Sequence, residues 1–129
     1  MRTARIVLVA AAALGLLTVS VSANPFGAGN LVVTRVGDGT AVLGSAATRT
    51  YLDEFTITGS VVQNLAMPTS ASGSNLAFTN SGSATSEGFL KLSTNGQYLT
   101  LAGYDAAPGV LGIATTTWLA NKRVVARVD

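Results

Sequence analysis

The chain has 129 residues, eight Lys+Arg against six Asp+Glu, and neither His nor Cys. Without Cys no disulfide can compensate for a thin core, and without Cys or His the transition metals lack their usual ligands. The absence of His also removes the usual general base of serine-type hydrolysis.

Residues 1–23 spell a secretory signal peptide. Arg2 and Arg5 precede the unbroken apolar run IVLVAAAALGLL (6–17), and TVSVSA (18–23) ends in small residues, which places cleavage between Ala23 and Asn24. Twelve apolar residues fall well short of the roughly 20 that a spanning helix needs. The expected product is therefore exported, secreted or held at the cell surface, with no stable membrane span after cleavage. Both Arg2 and Arg5 leave with the signal, so six basic residues face six acidic ones in 24–129 and the net charge is zero. That balance offers nothing to nucleic acid or anionic membrane. Lys122, Arg123 and Arg127 form the one basic cluster, and in a strand Arg123 and Arg127 share a solvated face.

The remaining 106 residues suit one small domain. Thr occurs fourteen times and Ser nine in it, whereas the helix-surface residues Lys and Glu are nearly missing, which favours strands. LVVTRV (31–36) reads as a strand closed by the turn Gly37-Asp38-Gly39. YLDEFTI (51–57) and SVVQNLA (60–66) flank Thr58-Gly59 at the spacing of a two-residue hairpin. The segment 67–88 is Ser/Gly/Thr/Asn-rich and reads as a connection, ordered where Leu76 and Phe78 pack. Phe89 to Leu92 and Gln97 to Ala102 flank Asn95-Gly96, a strong short hairpin signal. Val110 to Ala114 and Lys122 to Val128 complete the expected strands. No stretch keeps a 3.6-residue apolar period, so the expected class is all-β, built from antiparallel hairpins.

The stretches FTITGSVVQNL and LSTNGQYLTLA share a strand, Gly-containing turn, strand order like that of propeller blades. At about 40 residues per blade, the length corresponds to roughly two blades. GNLVVTRVGDGTAVL (29–43), YLDEFTITGSVVQNLAMPT (51–69), SGSATSEGFLKLSTNGQYLTLAGYDAAPG (81–109) and RVVARVD (123–129) resemble the N-terminal part of a family of large secreted bacterial β-propeller-like proteins. The resemblance implies a β-propeller-like fold over 24–129, expected here as an incomplete N-terminal fragment. It also implies as partner either an extracellular ligand or the further repeats of a longer parent. It supplies no catalytic residues and no cofactor.

Candidate chemistry is sparse. Ala84-Thr85-Ser86-Glu87-Gly88 is one residue from the G-x-S-x-G elbow, yet lacks a following helix pattern and any His. Asp53 and Glu54 are adjacent, so in a strand they point to opposite faces and cannot jointly flank a scissile bond; pairing of either with Glu87 or Asp105 is open. Asp38 with the Gly37 to Thr40 carbonyls could offer oxygens to calcium, but the D-x-[DN]-x-[DN]-G loop is absent. Gly27-Ala28-Gly29 lacks the third Gly of a dinucleotide fingerprint. Trp118 could stack a sugar, although beside Leu119 it is expected in packing. The sequence thus predicts a non-enzymatic binding or cell-surface scaffold. The alternative expectation is the accessory front part of a longer secreted hydrolase whose catalytic residues lie beyond Asp129.

Overall fold

The computed structural model describes residues 24–129. The expected signal peptide, with Ala23 at its cleavage site, lies outside the described residues, and Asn24 is the first of them.

The order is β1 (Leu31–Val36), β2 (Ala47–Phe55), β3 (Val61–Ala66), β4 (Thr79–Ser81), β5 (Lys91–Leu92), β6 (Leu99–Tyr104), a 3-10 turn (Ile113–Thr115) and β7 (Arg123–Val128). All pairings are antiparallel and join seven strands in one sheet curled into a half-barrel. The protein is all-β. Among the described residues no helix is long and apolar enough to cross a membrane.

β2 organises the sheet. Tyr51 to Phe55 pair with β1 on one edge and with β3 on the other, while Ala47 to Arg49 pair with β4. The Thr50 carbonyl accepts the Met67 amide and the Ala46 carbonyl accepts that of Gly82, so even-numbered residues of β2 serve β3 and β4 alike. β3 and β4 therefore share one edge of β2, end to end. β6 repeats the arrangement, with β5 at Leu99 and Thr100, β4 at Tyr104, and β7 along the whole strand. Short β4 is thus the bridge between a β1-β2-β3 sheet and a β5-β6-β7 sheet.

The inner faces of these two sheets meet. Leu52, Met67, Phe78 and Leu101 form the main buried cluster, with Leu65 and Val124 packed against it. Each fully buried side chain of this kind contributes about 1.5–3 kcal/mol. A second cluster of Ala47, Tyr104, Ala106 and Ile113 lies apart from it.

Several expectations are corrected. The connection 67–88 contains a strand, β4, whose three residues are all buried. Val110 to Ala114 is not a strand: Gly112 takes φ 61° and starts the 3-10 turn that sinks Ile113 into the core. Only Gly109 and Val110 behave as strand, exchanging backbone bonds with Ala47. The Thr58-Gly59 turn is wider than two residues, closed by Thr56 N–H to the Ser60 carbonyl, and Ile57 is exposed within it. β5 is shorter than expected, and β6 starts at Leu99 and runs on to Tyr104. The hairpin at Asn95-Gly96 does form, with Gly96 at φ 70°, but its turn too is wider than two residues, closed by the Ser93 N–H to the Tyr98 carbonyl.

Candidate functional site

The carboxylates are occupied by the fold. As alternation requires, Asp53 and Glu54 point to opposite faces. Outside, Asp53 takes a forked contact from Arg35, Nε to Oδ2 at 2.6 Å and Nη2 to Oδ1 at 3.2 Å, and a further bond from Asn64. Inside, Glu54 has no exposed surface. Its Oε1 accepts from the Gly27 N–H and the Asn30 amide, both at 2.6 Å, and Oε2 from Gln63 at 2.7 Å. The Asn30 amide leads in holding the Glu54 carboxyl below the usual range, opposed by burial and assisted by Gln63 and Gly27. Gly27-Ala28-Gly29 is thereby a tie between the first described residues and β2, with no strand before it among the described residues.

Glu87 meets neither of them. Its Oε2 accepts the Ser81 amide at 2.9 Å and its Oε1 the Tyr104 hydroxyl. Burial first, then Glu87, pushes the Tyr104 phenol up to about 12. The guanidinium of Arg123 lies 4.6 Å from the centre of the Tyr104 ring. Ser86 borders the same small hollow of about 180 Å³, but residues 82–88 contain neither the strand nor the helix of a nucleophile elbow. Asp105 accepts the Ala77 amide at 3.2 Å. Asp38 accepts the amide and hydroxyl of Thr40, at 2.9 and 2.7 Å, which hold its carboxyl below the usual range, the hydroxyl contributing most. Among the described residues no three Asp or Glu gather as for a metal ion. Trp118 is 69 % exposed, contrary to the packing expected of it: it sits in the turn after the 3-10 segment, beside the equally open Leu119.

What the fold leaves open is apolar surface and strand edge. A groove of about 460 Å³ runs between β3 and β7, floored by Leu65, Met67, Phe78, Val124 and Val128 and rimmed by Leu76. A second hollow of about 550 Å³ opens beside it, between Phe26, Val32, Leu90, Leu92 and Tyr98. Across the outer face of the first sheet, Leu31, Phe55 and Val61 stand in one row by register, with Leu31 and Val61 exposed. On the outer face of β7, Arg123 and Arg127 share a side as expected, each over a tyrosine ring, Arg127 at 4.5 Å from that of Tyr98. The sequence pattern signalled these arginines but not the groove, which exists only once β3 and β7 are brought together by β2, β4 and β6. Such open grooves and edges recognise extended or apolar partners through backbone and side-chain contact.

No family model, no curated protein and no solved structure matches this chain.

Proposed function

We propose that the protein is an exported, non-catalytic scaffold of β-propeller-like type that acts by binding. One observation carries this reading: apolar surface lies open on several faces, as at Leu31, Val61, Phe89 and Trp118, while Asp53, Glu54 and Glu87 are committed to structural hydrogen bonds. Exposed apolar surface beyond scattered single side chains is the mark of an interaction site. The all-β antiparallel sheet fits an incomplete β-propeller-like fragment; membership of the secreted family that the sequence resembles rests on that resemblance, with an extracellular ligand or further repeats as partner. The test has two arms. N-terminal sequencing of the product in the culture medium should begin at Asn24, and the purified protein should hydrolyse generic ester and glycoside substrates no faster than buffer. Turnover that disappears in Ser86→Ala or Glu87→Gln would overturn the non-catalytic reading; activity found only in a longer parent would favour the hydrolase-accessory alternative.

A further inference from the structure

The outer edge of β7 carries a pairing code. The Lys122 carbonyl accepts the Asp105 amide, which fixes the phase of the strand. Even-numbered residues turn their backbone groups to β6, and Arg123, Val125 and Arg127 turn theirs outward, where β7 meets no other strand among the described residues. Side chains alternate independently: Val124, Ala126 and Val128 pack on the core, while Val125 is 74 % exposed. The register with β6 is unbroken over six pairs, with no Gly, Pro or bulge to spoil the edge.

A second copy of β7 can meet this edge antiparallel, about a two-fold axis, in few ways that set outward backbone groups against outward backbone groups. Centred on Val125, Arg123 faces Arg127 of the second copy twice. Centred on Arg127, the two Arg127 residues face each other. Like charges directly opposite disfavour both. Centred on Val124, the strand runs off β7 into the turn at Thr117 to Asn121, where the amides of Ala120 and Asn121 are already bonded to the Thr117 carbonyl. Centred on Ala126, Arg123 faces Asp129 of the second copy at both ends, Val125 faces Arg127, and on the core side Val124 faces Val128. Centred on Val128, Arg127 faces Asp129 twice, but only residues 127 to 129 of each strand overlap. The Ala126 register alone combines opposite charges across from each other with pairing along the whole of β7, and it delivers two further valines to the rim of the 460 Å³ groove between β3 and β7.

We propose that β7 pairs antiparallel with β7 of a second copy in the register centred on Ala126, joining two half-barrels through one continuous sheet. The proposal deepens the scaffold reading and rests on it. The two fail separately, since catalysis is read from turnover and pairing from mass and crosslinking.

Sedimentation of the purified chain should give a concentration-dependent dimer. Asp129→Arg replaces two attractive facing pairs by repulsive ones and should raise the dissociation constant about tenfold. Val125→Pro removes an N–H that faces away from β6, a place where an edge strand tolerates Pro, and should give a folded monomer by circular dichroism. Ala126→Cys should oxidise readily to a crosslinked dimer, because the two copies of position 126 lie opposite each other at about 4.5 Å between Cα atoms. Val125→Cys, which faces Arg127, should crosslink far less. A strict monomer overturns the proposal. So does a dimer indifferent to Asp129→Arg and Val125→Pro, and one abolished instead by Val62→Asp would assign the interface to β3.

Discussion

The side-chain amide of Asn80 donates to the backbone carbonyl of Ala102 at 3.0 Å, at the fork where β6 passes from its pairing with β5 to its pairing with β4. That carbonyl points into the opening between the two short strands, where the ladder has no amide to offer it. Asn80 supplies one from its side chain, and its Oδ1 accepts from Thr50 at 3.0 Å. The residue has no exposed surface, so water cannot take over either role.

Replacing Asn80 with Ala or Leu should therefore cost about 2–4 kcal/mol, the price of two unpartnered buried groups together with imperfect packing. Urea melts of the variants should show the midpoint falling without a change of secondary structure. A loss below about 0.5 kcal/mol, the range of ordinary surface substitutions, would show that the fork is not held by this side chain.

Gly103 is required by contact rather than by its backbone angle. A Cβ there would lie 2.6 and 2.8 Å from atoms of the Phe78 ring and 2.8 Å from the Thr79 carbonyl. Gly103→Ala should destabilise by about 1–3 kcal/mol, as overpacking does. Combining it with Phe78→Leu should recover only part of this, because the Thr79 carbonyl belongs to β4 and cannot move aside. Thermal melts of the two single variants and the double variant decide it.

Gly96 and Gly73 offer a comparison in which the structure changes the expectation. From the sequence, Gly96→Val should hurt more, since Gly73 falls in the polar connection. Both residues hold positive φ, 70° and 59°, with open space where a Cβ would go. Each valine variant should therefore lose about 1 kcal/mol or more from backbone strain. Gly73→Val matching Gly96→Val in a denaturant series supports this; a silent Gly73→Val counts against it.

Stability should decline at both ends of the pH scale. Glu54 has a depressed folded value, so below about 4.3 the unfolded chain takes up its proton first and stability falls as pH drops toward that folded value. Tyr104 is displaced the other way. Between about 10, where a free phenol ionises, and about 12, the unfolded chain releases its proton first, and stability falls as pH rises. Glu54→Gln should flatten the acid limb and Tyr104→Phe the alkaline limb of a melting-temperature profile.

Two strands were legible before the structure: LVVTRV is β1 residue for residue, and the expected strand Lys122 to Val128 is β7 but for Lys122. The hairpin at Asn95-Gly96 was equally legible, because its chemistry is local. β4 was not. Thr79, Asn80 and Ser81 are polar, and they read as loop because periodicity sees only hydrophobicity; Asn80 can be buried because it accepts from Thr50 and donates to the Ala102 carbonyl, and Thr79 because its hydroxyl donates to the Ala106 carbonyl. The opposite faces of Asp53 and Glu54 followed from their spacing, whereas the Glu87–Tyr104 contact joins residues with no pattern in common. The groove beside β7 was hidden for the same reason, being made by strands that are distant along the chain.

Because β2 pairs with β1 and β3 at Tyr51 to Phe55 and, at Ala47 to Arg49, with β4 that bridges to the second sheet, neither sheet can melt alone. The β1-β2-β3 meander lies within residues 31–66 and closes with connections of ten and five residues, so it can form early at modest entropic expense. The second sheet must wait for β4, β6 and the 109–110 segment to return to Ala47, a much longer closure. Once that return is made, opening either core strips partners from the same nine residues. Two small hydrophobic clusters, each too slight to stand by itself, are thereby bound into a single cooperative unit. Native-state amide exchange should find its slowest protons along β2, all leaving with one free energy.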